Sequence, residues 1–342
     1  MLSIRRVQSD DAAARGLWDE QQAEMRVVYG DDGHVDAPEG EAFDDAIDLS
    51  RVYASLVGAD ESGEDIATAM LQWPAYDLPL GTIEAKRLYV RPEHRRRGYS
   101  RVMMGALEAA ARRSGATSIA LETGTEQPAA IALYEALGYH RIEPYGQYNE
   151  DPRSVCFAKE LPTRVLVVNG SIGAGKTTSA AAVFDALEAR GSRSAFIDGD
   201  FLCQAVPPPA DDPYNQALFF QNLAATAPVY RARGCGLVVI SRVLEDADDR
   251  ARCATAFASV AGQADVSIVR VDAPLDVREA RLSVREPEGK WRDWALARTV
   301  ELSDSLDSQD LDDAIVMTAM DAGENRSRAE VAEDVLDAAG WA

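Results

Sequence analysis

The sequence predicts an α/β protein of two domains, and three observations carry that expectation. Its 342 residues exceed what one hydrophobic core usually spans. Near the middle, the apolar β-branched run RVLVV (164–168) leads through the glycine-rich turn NGSIGAGKTT into an Ala- and Leu-rich segment with helical spacing. In the first half, LYVRPEHRRRGYSRVMMGALEAAARR (88–113) reads as a second strand, turn and helix built from different residues.

Composition narrows the class. At 46% hydrophobic and 27% charged, the chain reads as globular rather than disordered or fibrous. No apolar run approaches the ~18 residues that cross a bilayer. The start, MLSIRRVQSDD, has acids directly after its basic pair where a signal peptide would have an apolar core. Cys156, Cys203, Cys235 and Cys253 form no C-x-x-C pair, so no disulfide or zinc framework is expected and a reducing cytoplasm fits. The net charge is -22. Residues 1–161 hold 17 basic and 28 acidic side chains and residues 162–342 hold 18 and 29, so neither half is a basic nucleic-acid module. Such a surface repels phosphate backbones and anionic membranes and favours solubility, so no nucleic-acid or membrane partner is expected. The join at KELPTR (159–164) is short and has no Gly/Ser tether.

In the second half, Gly170, Ser171, Ile172, Gly173, Ala174, Gly175, Lys176 and Thr177 fit G-x-x-x-x-G-K-[ST], with Thr178 following. Glycines let backbone N–H groups wrap a phosphate, and the helix N-terminus adds partial positive charge. Lys176 would reach the β- and γ-phosphates and Thr177 would hold Mg²⁺. This half resembles the P-loop nucleoside triphosphatase and kinase superfamily. The resemblance implies a parallel α/β/α sandwich over residues 164–342, with ATP and Mg²⁺ as its partners.

The strand SAFIDGD (194–200) ends in two carboxylates. Its Asp198-Gly199-Asp200-Phe201-Leu202 is similar to the segment at this place in gluconate kinases, and adenylylsulfate kinases carry a related Asp-Gly-Asp. The likeness implies Asp200 as acceptor of the substrate hydroxyl's proton and Asp198 in the metal shell; a pair of turn acids is the plainer alternative. Gluconate itself does not carry over, because that family's downstream Cys-Ser-Ala-Leu-Lys stretch is missing. GLVVISRVLED (236–246) reads as a buried strand that ends in Ser241-Arg242 where nucleotide hydrolases often keep a metal-binding acid. After the strand VSIVRVDAP, Arg278, Arg281 and Arg285 recur at helical spacing in a segment placed like the lid of small kinases. Arg281 and Arg285 are candidates to neutralise the transferring phosphoryl group; a solvated helix with Glu279 and Glu286 as partners remains open. The insert QAVPPPADDPYNQALFF (204–220) is expected to shape the acceptor pocket, with Tyr214 or Phe219 lining it.

In the first half, Arg95-Arg96-Arg97-Gly98-Tyr99-Ser100 resembles the [QR]-x-x-G-x-[GA] signature of the GCN5-related N-acetyltransferases (GNAT). The likeness runs from about Ile4 to Leu161, in a domain expected over 1–161: strands GTIEAKRLYV and SIALETGT, the block AAIALYEALGYHRI and the closing YNEDPRSVCFAKEL follow the family's order. It implies a mixed-sheet α/β domain that binds acetyl-CoA through Leu88, Val90, Arg95, Arg96, Arg97, Gly98, Tyr99, Ser100 and Arg101. It also implies Tyr134 as general acid toward the coenzyme sulfur and Glu84 as base for an acceptor amine, with Glu122 as the alternative base. Ser100 departs from the usual Gly or Ala, and Gln127-Pro128 stands where many members carry Asn. The acidic segment 30–45 is expected to be a surface loop on the acetyl-acceptor side. The two halves together suggest a bifunctional transferase acting on small amines and hydroxyl compounds. The alternative is a kinase regulated by a non-catalytic acetyl-CoA-sensing domain.

Overall fold

A computed structural model describes residues 2–29, 48–75, 77–320 and 325–342. The segment 30–45 lies outside the described residues. The chain divides into two compact units, Met1–Leu161 and Pro162–Ala342.

The first unit runs β1 (Ser3–Val7), α1 (Ala12–Tyr29), β2 (Val52–Ala59), β3 (Asp65–Gln72), β4 (Thr82–Val90), α2 (Tyr99–Arg113), β5 (Ser118–Gly124), α3 (Pro128–Ala136), β6 (His140–Ile142) and β7 (Ser154–Glu160). Its strands form one mixed sheet in the order β1-β2-β3-β4-β5-β7-β6. Only β4 and β5 pair in parallel; the other neighbours are antiparallel. Alternate side chains of a strand face opposite ways, and both faces are covered. Leu71 packs with α2, whose Met103, Met104, Leu107, Ala110 and Ala111 recur at spacings of one, three and four and are all buried. The adjacent Met70 packs with Ala14, Leu17 and Trp18 of α1, and the Trp18 indole donates to Thr68 Oγ1 at 3.1 Å.

The second unit runs β8 (Arg164–Asn169), α4 (Lys176–Ala189), β9 (Ser194–Asp198), α5 (Gln216–Ala232), β10 (Leu237–Ser241), α6 (Asp249–Ala256), β11 (Asp265–Asp272), α7 (Leu275–Arg285), α8 (Lys290–Ser308), β12 (Ala314–Met317) and α9 (Arg328–Ala338). All five strands are parallel, in the order β12-β11-β8-β10-β9. The run RVLVV is buried on both faces, as its lack of alternation predicts. Leu166 and Val168 join α4 and α9 in one core, whereas Val165 and Val167 join α5 and α6 in another. Helices therefore flank the sheet, and β8 at its centre delivers the glycine-rich turn to the carboxyl edge, where open α/β sheets place their ligands.

Candidate functional site

The first site begins with a fault in the sheet. Strands β4 and β5 pair only over Thr82–Ala85 and Ser118–Leu121, although β4 continues to Val90 and β5 to Gly124. The cause lies across the strand. Thr68 faces Tyr89 and Met70 faces Lys86, so β4 carries an extra residue at a bulge, with Arg87 at φ 58°. A bulge sharpens local twist and turns β4 away from β5. The parted strands leave main-chain groups without a sheet partner on that side, which suits an extended, amide-bearing ligand.

At the end of β4 the chain turns through Gly98, at φ 82°, into α2, whose N-terminus has no side-chain cap. First-turn N–H groups without intrahelical partners receive anions well. Arg96, Arg97 and Arg101 are exposed and pair with no carboxylate among the described residues. Arg95 differs from the other arginines grouped with it in sequence. Glu24 of α1 grips it through both carboxylate oxygens, at 2.7 and 2.6 Å, and its Nε donates to the Val90 carbonyl. Arg95 therefore anchors the turn to α1. The Leu88 carbonyl is likewise taken, by Gln21 Nε2. Tyr99 and Ser100 are half-buried at the helix start. The turn and the parted strands fit the pyrophosphate and pantetheine arm of coenzyme A in kind: donors for the anion, then an open strand edge.

Glu84 is fully buried on β4. Gln72 Nε2 donates to its Oε2 at 2.9 Å, and the Tyr145 and Tyr148 hydroxyls reach Oε1 at 3.1 and 3.4 Å. Lys86 Nζ lies 3.9 Å from Oε2. Each of these contacts comes from a donor, so the carboxylate is the acceptor at the centre of this cluster. The composition of this shell was not read from the sequence, because Gln72, Tyr145 and Tyr148 come from β3 and from the segment before β7. Glu122 instead accepts from Ser154 Oγ at 2.8 Å. Tyr134 is buried against Tyr139 and Phe157, at 5.9 and 5.8 Å between ring centroids. Burial, and secondarily the charge of Glu122, pushes its phenol well above the ordinary range and keeps the hydroxyl protonated.

The second site centres on the glycine-rich turn. Asn169 closes the end of β8: its Oδ1 accepts from the N–H of Gly170 and of Leu244, and its Nδ2 donates to Asp312 and to the Leu244 carbonyl. A Cβ on Gly170 (φ +141°) would lie 2.3 Å from the Val271 carbonyl oxygen, so this backbone admits only glycine. Helix α4 starts at Lys176 behind Gly175 with no side-chain cap. Lys176 Nζ donates to the Ser171 carbonyl at 3.0 Å, and burial pushes its ammonium down to about 8. Thr177 Oγ1 lies 3.1 Å from Ser241 Oγ, so Ser241 occupies a position beside the hydroxyl expected to hold Mg²⁺.

These residues face a cavity of about 970 Å³, whose wall includes Ile172, Gly173, Gly175, Lys176, Thr177 and Thr178 with Asp200 and Tyr214. Asp200 reaches into it, 71% exposed, and its Oδ1 accepts from Arg242 Nη1 at 2.7 Å. Asp198 turns back, accepting from the Asp200 N–H at 3.0 Å, and burial raises its carboxyl. The two acids thus differ in placement. Arg242 escaped the sequence reading as a functional residue. It is itself buried, donates to Gln216 Oε1 and the Tyr214 carbonyl, and lies over the Phe219 ring at 5.2 Å. Phe219 is wholly buried and does not line the cavity; Tyr214 does.

The three arginines expected on one lid separate. Arg278 is buried and donates to Ser171 Oγ, the Thr299 carbonyl and Ser303 Oγ, so it braces the turn from behind. Arg281 donates to the carbonyls of Gly173 and Ala174 and to Thr318 and Asn325. Arg285, the most exposed, pairs with Glu286 at 2.7 Å and lines the cavity. As placed here, Arg278 is structural, Arg281 holds the glycine-rich turn and Arg285 lines the cavity.

Residues 14–139 match the acetyltransferase (GNAT) family, so the first half of the chain contains a GNAT-type domain. An IAA acetyltransferase of Azospirillum brasilense is 37% identical over 87 residues, which is 25% of this chain and 57% of that protein. N-acetyltransferase 8F1 of Rattus norvegicus is 29% identical over 102 residues, 28% of this chain and 46% of that protein. The chain spans about half the length of the curated relatives it matches. Among solved structures, an acetyltransferase of the GNAT family from Staphylococcus aureus aligns with a TM-score of 0.37 and 12% identity, covering 47% of this chain and 99% of that one.

Proposed function

We propose that the chain is a two-domain transferase. Residues 1–161 would transfer acetyl from acetyl-CoA to a small amine, and residues 164–342 would transfer the γ-phosphoryl group of ATP to a hydroxyl of a small molecule. For the first activity the supporting observation is the family match over 14–139, in a unit whose β4 and β5 part beside an uncapped helix start. Acetyl-CoA supplies the activated acyl group when bound. Arg96, Arg97, Arg101 and the N–H groups at Gly98–Ser100 would hold its pyrophosphate. Tyr134 would donate a proton to the departing sulfur. Both oxygens of Glu84 are already covered, so the amine's proton would reach it by way of the half-buried Tyr148 hydroxyl.

For the second activity the supporting observation is one cavity holding the turn, Lys176 and Asp200 together. The N–H groups at the start of α4 and Lys176 would bind the β- and γ-phosphates, Thr177 would hold Mg²⁺ with Asp198 near the metal shell, and Asp200 would take the acceptor proton. Arg281 and Arg285 would flank the transferring group.

The test is mass spectrometry of amino sugars, amino acids, nucleosides and aminoglycoside-type compounds incubated with protein, Mg²⁺, ATP and acetyl-CoA. We expect acetyl gain that is lost in Tyr134→Phe and phosphoryl gain that is lost in Lys176→Ala. Acetyl gain without any ATP binding would refute the second activity and leave the first standing.

A further inference from the structure

We infer that the phosphoryl acceptor is a ring-bearing alcohol without an anionic group, seated on an aromatic wall formed by α8 and Tyr214. The inference rests on reading the glycine-rich turn as the ATP site. The Trp291 and Trp294 indoles stack with centroids 4.6 Å apart and 24° between planes, and Trp294 meets the Tyr214 ring at 6.5 Å. All three line the cavity and stay open to it, at 60%, 37% and 45% exposure. Apolar ring faces left in water lose free energy that a flat ligand would recover, and offset stacking gives such a ligand a defined orientation.

This wall is continuous with the chemistry. Arg242 donates both to the Tyr214 carbonyl and to Asp200, so the rings and the carboxylate are held by one side chain. Asp200 follows β9 at one edge of the sheet, whereas Thr318 follows β12 at the other, and the turn after β8 lies between them. The cavity reaches past Thr318 and Arg326, which leaves that side for the nucleoside of ATP and the Asp200 side for the acceptor.

Charge sets the second half of the inference. On the acceptor side the cavity carries Arg242, Arg252 and Arg298 against Asp200, Glu245, Asp246 and Asp249. Each arginine is already matched: Arg242 with Asp200 at 2.7 Å, Arg252 with Asp249 at 3.0 Å, and Arg298 with Glu245 at 2.6 Å. A phosphate or carboxylate on the acceptor would meet no uncommitted cation there and would face an excess of carboxylates. A neutral ring compound avoids both costs. In the transfer, its hydroxyl oxygen bonds to the γ-phosphorus, the bond to the ADP oxygen breaks with the electron pair going to ADP, and the hydroxyl proton passes to the Asp200 oxygen that Arg242 leaves open.

The experiment uses the full chain. ATP binding is read first, by displacement of a fluorescent ATP analogue in the presence of Mg²⁺. Phosphoryl transfer and binding are then measured for 2-phenylethanol and uridine as uncharged ring alcohols, with uridine monophosphate, glucose 6-phosphate and glycerol as anionic or ring-free comparators. We expect the uncharged ring alcohols to be preferred. Trp294→Ala should raise their KM by about tenfold, the scale of one aromatic stacking contact, without moving the KM for ATP, and Trp294→Phe should restore most of the loss. Preference for an anionic or ring-free compound overturns the inference. So does an acceptor KM unmoved by Trp294→Ala, a KM for ATP that moves instead, or ATP binding with the ring alcohols neither bound nor phosphorylated. Failure to bind ATP at all would refute the phosphotransfer reading itself, and the acceptor with it.

Discussion

Lys176 shows how a single residue's environment becomes measurable. Its ammonium donates to the Ser171 carbonyl and is pushed down to about 8, mostly by burial, with Arg285 and Arg242 adding to the effect and Asp200 and Asp198 opposing it. Because the folded-state pKa is depressed, the ammonium loses its proton as pH rises through that value, while bound phosphates would restore the charge. ATP binding should therefore take up few protons near pH 7, and uptake should approach one proton near pH 9 as affinity weakens. Calorimetry in buffers of differing ionisation enthalpy measures this directly, and uptake that stays flat across the range would exclude it. Gly170 makes a steric case. Gly170→Ala would set a Cβ against the Val271 carbonyl at an unfavourable positive φ, and should cost about 3 kcal/mol of stability in chemical denaturation. The roles proposed for Lys176 and Gly170 were legible in the sequence because they depend on neighbours a few positions away. Arg242, the donors around Glu84, and the engagement of Arg95 by Glu24 were not, because each partner is brought in from a distant element. Conversely, the spacing grouped Arg278 with Arg281 and Arg285 on one lid segment, yet its partners Ser171, Thr299 and Ser303 bury it.

At the scale of elements, local pattern and tertiary setting divide the work differently. Helix α9 carries its signals locally: SRAEVAEDVLDAAGW has helical spacing, and Ser327 and Glu330 form a reciprocal capping box at its start. Ser327→Ala should remove about 1 kcal/mol from the stability of the second unit, read as a lower denaturation midpoint with an unchanged m-value; a neutral outcome would mean that packing alone sets this helix end. Strand β4 was legible as a strand but not as a bulged one. Its extra residue at Arg87 is visible only once β3 is paired beside it, and that residue is what parts β4 from β5. Helix α7 sits between these cases. Its existence followed from spacing, whereas the division of labour among Arg278, Arg281 and Arg285 follows from how closely α7 approaches the glycine-rich turn.

At the scale of the whole molecule, the question is whether two sites need one another. Among the described residues, each hydrophobic core cluster draws its residues from one unit: those around α1, α2 and Glu84 from residues 2–161, and those flanking the parallel sheet from residues 164–341. A unit with its own core can fold alone, and no catalytic candidate in one site comes from the other unit. Residues 1–161 expressed separately should therefore keep an acetyl-transfer rate within about threefold of the full chain, since independent sites add rather than couple. Lys176→Ala in the full chain should leave that rate unchanged. Calorimetry of each separate half should show its own cooperative transition. If the isolated half folds but loses acetyl transfer, or if Lys176→Ala lowers it in step with ATP binding, the two activities are coupled and the two sites are not independent.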